Sequence, residues 1–212
     1  MTVSTPDRAP ALVFGGTFDP PHKRHVDIAR LAADALGARA ILVIPAALNP
    51  QRTDRPPAAP EHRLAMTRIA FRNETRAQVL DLEIIRGAPS YSIDTLRELH
   101  ARGEAPLRLL VGSDQALNLT TWKSWREVVA LAPPAIVLRP PNDLASLRSA
   151  AGERFGDDIE TWIDRVLPIP PIAVSSSALR QAIGGESLPA SIEDLDPEVI
   201  QYIHSQLLYR QR

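Results

Sequence analysis

The sequence predicts an α/β fold of the doubly wound, Rossmann-like type, with a mostly parallel sheet and helices on both of its faces. Short apolar runs alternate along the chain with amphipathic stretches, which is typical of strand–helix–strand units. Several runs, such as residues 12–14 and 41–44, are continuously apolar, as strands covered on both faces are. The 212 residues suffice for a single domain with a substantial core.

The apolar runs predict strands at residues 11–14, 40–44, 79–84, 107–111, 135–138 and 166–169. Helical patterns follow at residues 61–71, 92–102, 125–131, 177–183 and 197–208. Crossovers between parallel strands are right-handed, and ligands in such folds bind at the carboxyl ends of the strands. We therefore expect a ligand site at that edge of the sheet.

The first helix is predicted to begin at Asp19, whose side chain can cap it, with Pro20 in its first turn. Apolar residues at helical spacing continue to Leu36, and Gly37 ends the segment. Residues 1–212 are expected to form one domain, with a flexible N-terminus at 1–10. Residues 139–164 are the least regular and are a candidate insertion, and residues 171–212 are a C-terminal part carrying a serine-rich motif.

The composition argues against several classes of function. The net charge is −1, which does not favour a nucleic acid or an anionic membrane as partner. Cysteine is absent, which excludes disulfides, thiolate metal sites and a cysteine nucleophile, and which fits a cytoplasmic location. The first ten residues lack the apolar core of a signal peptide, and no apolar run is long enough to span a bilayer.

A glycine pair stands at the end of the first strand, where Gly15, Gly16, Thr17 and Phe18 lead into the first helix. Glycines let the backbone turn sharply and approach a ligand without interference from a Cβ atom. The helix N-terminus behind them offers free N–H groups and a positive dipole end, which suit phosphate. Neither a G-x-G-x-x-G fingerprint nor a Walker sequence is present, so a third kind of phosphate site is needed.

Two histidines, His22 and His25, lie three positions apart in the first turn of this helix and therefore on one face. Both can donate hydrogen bonds to phosphate oxygens, and as imidazolium they add positive charge. A zinc pair is an alternative, although no third ligand is apparent. His25, in line with Ile28, is alternatively a core histidine, but two histidines directly after this loop favour a ligand site.

A second motif contains Ser175, Ser176, Ser177 and Arg180. Serines after a strand can cap a helix and turn their N–H and hydroxyl groups towards an anion, with the arginine about one turn further on. An ordinary serine cap with a solvated Arg180 is the alternative interpretation. The pairing with the first motif favours an anion site shared by the two turns.

Residues 15–25, Gly-Gly-Thr-Phe-Asp-Pro-Pro-His-Lys-Arg-His, resemble the signature of the nucleotidylyltransferase superfamily with its His-x-Gly-His motif. Residues 174–180 resemble the Ile-Ser-Ser-Thr-x-x-Arg motif of that superfamily. Segments 45–52, 89–96 and 111–122 are similar to bacterial nicotinate-nucleotide adenylyltransferases. The resemblance spans residues 11–208 and implies the doubly wound fold as well as the site.

The resemblance implies three sets of functional residues. The catalytic set is His22, His25 and Arg180. The ATP-binding set is Gly15, Gly16, Thr17, Phe18, Gly112, Asp114, Ser175, Ser176 and Ser177. The acceptor-binding set is Arg52, Ser90, Tyr91, Ser92 and Trp122.

Within these sets, Gly112 and Asp114 are implied to hold the ribose, because a carboxylate accepts hydrogen bonds from hydroxyl groups. Trp122 is implied to stack on the pyridine ring of the acceptor, and Arg52 to pair with its phosphate. The alternatives without ligand binding are a core aromatic for Trp122, a solvated loop cation for Arg52 and a surface cap for Tyr91.

Two positions depart from the family pattern. Arg24 stands where the His-x-Gly-His motif has glycine, so its side chain either crowds the adenosine or swings outward and adds a phosphate contact. Gln51 stands in the proline-rich loop where the family has histidine. Because glutamine cannot become cationic, we expect a weaker hold on the acceptor phosphate.

The implied reaction is adenylyl transfer from ATP to nicotinate mononucleotide, which yields nicotinate adenine dinucleotide and pyrophosphate in NAD biosynthesis. The acceptor phosphate is the nucleophile, so catalysis comes from in-line positioning and charge stabilisation. Mg²⁺ is expected to arrive with ATP, and no protein metal site is predicted. The alternatives are nicotinamide mononucleotide, pantetheine phosphate or a phospho-base as acceptor, and a nucleotide-binding regulator without turnover, suggested by Arg24. A homo-oligomer is also considered.

Overall fold

The computed structural model describes residues 8–47, 57–87, 89–155, 159–171, 179–180, 183 and 192–209. Its strands are β1 Ala11–Gly16, β2 Ala40–Pro45, β3 Ala77–Val79, β4 Leu107–Gly112 and β5 Pro134–Val137. Its helices are α1 Lys23–Leu36, α2 Pro60–Phe71, α3 Leu82–Arg86, α4 Ser92–Ala101, α5 Ser113–Asn118, α6 Trp125–Leu131, α7 Leu144–Phe155, α8 Ile159–Ile163 and α9 Pro197–Ser205. A short 3-10 turn, Leu119–Thr121, joins α5 to α6.

The strands form one sheet in the order β3-β2-β1-β4-β5, and every neighbouring pair is parallel. The chain builds outward from β1 in one direction and then from β4 in the other, so the strand order reverses between β1 and β4. Ligands bind at the carboxyl ends of the strands beside such a reversal. The predicted doubly wound fold is confirmed.

Alternate side chains of the strands enter two separate cores. Val13 and Leu42 belong to the core on one face, whereas Leu12 and Ile41 belong to the core on the other. All residues of β2 are buried, because helices cover both faces of the sheet. This double burial is the reason that the strand sequences are continuously apolar. A third apolar cluster joins α2 to α9 through Met66, Val199 and Ile203 among others.

The predicted strand at residues 79–84 is wrong beyond its first residue, since β3 ends at Val79 and α3 begins at Leu82. Periodicity cannot separate a strand from a helical turn in such a short apolar run. In the helix, Glu83 is buried while Ile85 is 77% exposed. The strand was predicted from the apolar residues of this run, although the hydrophobic side chain of Ile85 is exposed in the structure.

The predicted strand at residues 166–169 is also wrong, because only a single parallel bridge forms between Ile136 and Val166. Leu167 N–H donates to the Ile136 carbonyl over 2.8 Å, and the ladder then stops. Pro168, which follows directly, has no N–H to continue the ladder.

The first helix begins at Lys23 with His22 as its N-cap, so the predicted start at Asp19 is wrong. The carboxylate of Asp19 is buried and bonded to distant groups, which leaves it unable to cap the helix. Gly37 ends α1 in the left-handed region at φ 57°, as predicted. The other predicted helices match α2, α4, α6 and α9 to within a few residues, and the one at 177–183 lies mostly outside the described residues.

Residues 139–164, the candidate insertion, contain α7 and α8 among their described part. Leu147, Ala151 and Trp162 from these helices are buried in the core beside β4 and β5. The segment thus contributes to the main core. Its status as an insertion stays a prediction, and so do the boundaries of the single domain. Of the predicted N-terminal segment, residues 1–7 lie outside the described part. No helix in the described ranges is both long and apolar enough to cross a membrane.

Candidate active site

The predicted ATP-binding glycines lie side by side at the carboxyl edge of the sheet. Gly16 ends β1, Gly112 ends β4, and β1 pairs with β4 in parallel register. These two strands flank the point where the strand order reverses. The fold therefore places the first motif and the Gly112–Asp114 segment at one crevice.

The two glycines of the first motif serve different purposes. A Cβ atom on Gly15 would meet no atom within 4 Å, so this position is open to a ligand. A Cβ atom on Gly16 would lie 3.0 Å from the ring of Phe18, so only glycine fits without a shift. The expectation that the glycines make the sharp turn is wrong, because both belong to β1 and Phe18 adopts the positive φ of 49°. The Phe18 ring is buried, so only its backbone can face ATP.

The histidine pair is compact and buried. The two rings stack with centroids 3.8 Å apart, and the side chains of His22 and His25 are only 1% and 8% exposed. The backbone N–H of His22 donates to Nδ1 of His25 over 3.2 Å, which requires the proton of a neutral His25 to lie on Nε2. Neither ring nitrogen of His22 has a hydrogen-bond partner within the described part of the chain. Such unpaired buried nitrogens are suited to a ligand that brings its own hydrogen-bonding oxygens.

His25 also packs as a core residue. Its ring lies edge-on to Phe18, with centroids 5.1 Å apart, and 6.1 Å from the ring of Phe14. The alternative interpretation of His25 as a buried core histidine is therefore correct for its packing. The same packing holds the ring against His22 and fixes the geometry of the pair.

Burial favours the neutral form of both imidazoles. Burial lowers the pKa of His22 to about 4; nearby Arg139 and Arg24 lower it too, while Asp194 raises it. Burial and the neighbouring His22 hold the pKa of His25 well below its ordinary value. Desolvation disfavours the charged form, so the expected imidazolium charge at a bound phosphate stays a prediction. A neutral imidazole still donates one hydrogen bond to an anion.

The arginine of the second motif reaches the first motif. Nη1 of Arg180 donates to the backbone carbonyl of Asp19 over 2.7 Å and lies 3.7 Å from Oδ2 of the same residue. The side chain of Arg180 is 18% exposed. The predicted convergence of the two turns is thus present at Arg180, while Ser175, Ser176 and Ser177 lie outside the described residues.

Arg63 on α2 is a site residue that the sequence analysis missed. Its guanidinium is fully buried and donates to three backbone carbonyls: Thr17, Ala47 and Ala58, at 2.8, 2.8 and 2.9 Å. Thr17 lies in the loop after β1. Ala47 and Ala58 stand on either side of residues 48–56, the part of the proline-rich loop that contains Gln51 and Arg52. Arg63 therefore joins the predicted ATP loop to both ends of the predicted acceptor loop. In the sequence it looks like an ordinary helix-surface cation, so no local pattern could reveal it.

The predicted ribose site is tightly built. A Cβ atom on Gly112 would lie 2.5 Å from Oδ1 of Asp114 and 3.0 Å from the Arg139 side chain, so glycine is required there. Oδ1 of Asp114 is buried without a hydrogen-bond partner among the described residues, and Nη1 of Arg139 lies 3.7 Å away. An oxygen in that state can accept a hydrogen bond from a hydroxyl group. Arg139, which the sequence analysis placed at the edge of an insertion, is therefore part of this crevice.

The predicted acceptor residues lie around the start of α4. Ser90 is buried, and its hydroxyl accepts a hydrogen bond from Nη1 of Arg86 over 2.8 Å. Tyr91 is the N-cap of α4, and Nζ of Lys123 lies over its ring in a cation–π contact, 4.3 Å from the centroid. Ser92 is half-buried in the first position of the helix.

The rings of Trp122 and Tyr91 both pack, partly buried, against the same apolar core. The alternative of a core aromatic therefore describes one face of Trp122. Its indole Nε1 is buried without a hydrogen-bond partner in the described ranges. Arg52 and Gln51 lie outside the described residues.

Arg24, which replaces the motif glycine, points away from the histidine pair. Its Nε donates to Oδ1 of Asp194 over 3.0 Å, and about half of its side chain is exposed. Lys23 binds the same segment, because its N–H donates to the Asp194 carbonyl and its Nζ donates to the Glu193 carbonyl. The guanidinium is thus paired with Asp194, while the two outcomes expected for Arg24, crowding of the adenosine or an added phosphate contact, stay predictions.

The described residues contain no group of three or more His, Asp or Glu side chains arranged to hold a metal ion. The zinc interpretation of His22 and His25 accordingly lacks a third ligand in this part of the chain.

The neutral histidines predict a pH-dependent stability. Between about pH 6.5 and pH 4 the unfolded chain protonates His22 while the folded chain does not, so the free energy of unfolding falls as the pH falls. The contribution is on the order of 3 kcal/mol. Urea denaturation at pH 7 and pH 4.5 measures it, and His22→Gln is expected to lose less stability than the parent. An equal loss in both proteins would contradict buried neutral His22.

The Arg63 contacts predict an effect of a conservative substitution. Arg63→Lys keeps the charge but cannot reach three carbonyls, so we expect a loss of roughly 2–4 kcal/mol in unfolding free energy. The Michaelis constant for the acceptor should rise, because both ends of its loop lose their anchor. Arg68→Lys on the same helix is the control, since the Arg68 side chain is 56% exposed and pairs with Asp81 at the surface. Equal behaviour of the two variants would contradict the anchoring role.

Comparison with known proteins gives concordant matches. The model of the cytidylyltransferase-like family matches residues 13–182. A relative from Chromobacterium violaceum, named "Probable nicotinate-nucleotide adenylyltransferase", is 36% identical over 208 residues, covering 93% of this chain and 97% of the relative. A relative of the same name from Roseiflexus sp. (strain RS-1) is 36% identical over 202 residues, covering 95% of this chain and 98% of the relative.

Solved structures agree on the fold. The Plasmodium falciparum nicotinic acid mononucleotide adenylyltransferase complexed with NaAD superimposes with a TM-score of 0.70 at 20% identity, covering 95% of this chain and 98% of that chain. With the family match and the relatives covering nearly the whole sequence, the chain belongs to the cytidylyltransferase-like family and, within it, to the nicotinate-nucleotide adenylyltransferases.

Proposed function

We propose that the protein transfers the adenylyl group of ATP to nicotinate mononucleotide, releasing pyrophosphate and forming nicotinate adenine dinucleotide for NAD biosynthesis. The observation that carries this is the 2.7 Å contact of Arg180 with the Asp19 carbonyl, which joins the two phosphate motifs. The names of the relatives supply the acceptor. A cytoplasmic location and homo-oligomeric assembly stay predictions.

In the proposed mechanism the acceptor phosphate attacks the α-phosphorus of ATP in line with the departing pyrophosphate. No protein nucleophile is required, because a phosphate monoester is largely dianionic near neutral pH. His22 and His25 donate hydrogen bonds to phosphate oxygens, and Arg180 adds positive charge. The N-terminus of α1 adds the positive end of its dipole.

A bound triphosphate changes the state of the histidines. Its negative charge favours imidazolium, so the pKa of His22 should rise from about 4 towards neutrality when ATP binds. The site thus stays uncharged at the histidines until the anion arrives, which limits repulsion from Arg139 and Arg24.

We propose that Mg²⁺ enters as the complex with ATP. Of the nearby carboxylates, Asp19 contacts Tyr209 and Arg180, and Asp114 is assigned to the ribose. The donors that remain are phosphate oxygens and water, which Mg²⁺ accepts readily. The ion, when bound, neutralises charge on the phosphates.

The remaining residues are assigned to the two substrates. Gly15, Gly16 and the backbone of Thr17 and Phe18 face the phosphates, and Asp114 accepts from the ribose beside Gly112. Ser175, Ser176 and Ser177 complete the phosphate side. The acceptor set is Arg52, Ser90, Tyr91, Ser92 and Trp122.

One assay decides among the acceptors. Pyrophosphate release from ATP is measured with nicotinate mononucleotide, nicotinamide mononucleotide, pantetheine phosphate and a phospho-base, and we expect the highest kcat/KM with the first. A higher value with another acceptor would contradict the proposed substrate. ATP binding without release for any acceptor would favour the regulator that Arg24 suggested.

The histidine pair predicts a specific kinetic defect. His22→Ala should lower kcat at least about a hundredfold while changing ATP affinity much less, because its hydrogen bond strengthens as charge develops. Steady-state kinetics and calorimetric ATP binding measure the two effects. His100→Ala, at an exposed histidine on α4, is the control and should leave both unchanged. An unaltered rate in His22→Ala would remove this residue from the site.

A further inference from the structure

Asp19 is a buried carboxylate to which the proposed mechanism assigns no role. It is 4% exposed, and its Oδ1 accepts hydrogen bonds from the Tyr209 hydroxyl over 2.7 Å and from the Ala58 N–H over 3.1 Å. Its Oδ2 lies 3.7 Å from Nη1 of Arg180. Asp19, in the first motif, therefore contacts Arg180 of the second motif, Ala58 at the end of the proline-rich loop and Tyr209 in the C-terminal segment, residues 192–209.

Tyr209 reaches Asp19 from 190 positions along the chain. Burial raises the pKa of its phenol, and the adjacent Asp19 carboxylate raises it further, so the hydroxyl is always a donor. Its backbone is held in the left-handed region at φ 62°, which an aromatic residue adopts only when its surroundings require it. The side chain also packs against the apolar cluster of α2 and α9.

The charges around Asp19 make the hydroxyl important. Arg180 and the buried Arg63 both lie close enough to the Asp19–Tyr209 pair to act on it electrostatically. Arg63 and Arg180 both attract the Asp19 carboxylate electrostatically. The Tyr209 hydroxyl binds Oδ1, while Oδ2 is the oxygen that lies near Arg180. Without that bond, one of the two hydrogen bonds that orient Oδ1 is lost, and the carboxylate can turn relative to Nη1 of Arg180, which lies 3.7 Å from Oδ2.

We propose that Tyr209 is a positioning residue for adenylyl transfer: its hydroxyl fixes the Asp19 carboxylate, which in turn fixes Arg180 at the phosphate-binding turn. This inference rests on the proposed function only through Arg180 as a contact of the ATP phosphates. The C-terminal segment thereby becomes part of the active site although it lies far from both motifs in sequence.

The test is Tyr209→Phe, which removes one oxygen and keeps the ring. We expect kcat/KM for ATP and the calorimetric affinity for ATP each to fall about tenfold, the cost of one misplaced charge-assisted contact. The Michaelis constant for nicotinate mononucleotide should change less than about twofold, because the proposal assigns Arg180 to the ATP phosphates.

The matched control is Tyr202→Phe on α9, whose hydroxyl bonds Nδ1 of His62 over 3.0 Å and does not touch Asp19. This variant loses a comparable hydrogen bond. Thermal unfolding of Tyr209→Phe and Tyr202→Phe therefore shows how much of the change in ATP parameters comes from lost stability. ATP parameters that change equally in the two variants would overturn the proposal.

A double-mutant cycle separates positioning from a structural role. In Arg180→Gln the hydroxyl has no arginine to position, so adding Tyr209→Phe should produce less than about twofold further loss in ATP affinity. Additive losses would overturn the proposal. If the parent releases no pyrophosphate with any acceptor, the proposed function fails, and ATP affinity in the same cycle still decides the role of Tyr209.

Discussion

A buried carboxylate must be compensated by hydrogen bonds or by opposite charge, and the Asp19 carboxylate organises the candidate site for this reason. Its partners are the Tyr209 hydroxyl, the Ala58 N–H and the Arg180 guanidinium. These three groups come from parts of the chain that share no local structure. The requirement to satisfy one anion therefore draws the loop after β1, the second motif and the C-terminal segment to the same point.

In the folded chain the positive charge of this region lies on arginines, and burial lowers the pKa of both histidines. Arg63 is fully buried yet remains charged, because a guanidinium cannot lose its proton in a protein and three carbonyls satisfy it. His22 gives up its charge instead, since its ring nitrogens find no partner in the described residues. Fixed donors that need no rearrangement on binding are the arrangement expected where charge develops on a phosphate.

Local pattern predicted the parallel sheet, the loop after β1 and the shared face of His22 and His25, because burial and helical spacing act within a few residues. It failed wherever a side chain is satisfied by a distant partner. Asp19 fits the sequence profile of a helix cap, and Arg63 fits that of a solvated helix cation. Their partners lie 190 and 46 positions away, at Tyr209 and Thr17. Only the folded chain shows that both are interior groups.

The exchange of the motif glycine for Arg24 is compensated within the same region. The arginine leaves the face of α1 that carries the histidines and pairs with Asp194, which also acts on His22 electrostatically. Because Lys23 binds the same segment, the exchange adds a contact between α1 and residues 192–196 and leaves the histidine pair assembled. The substitution that motivated a regulator without turnover thus leaves the two histidine rings of the first motif in contact.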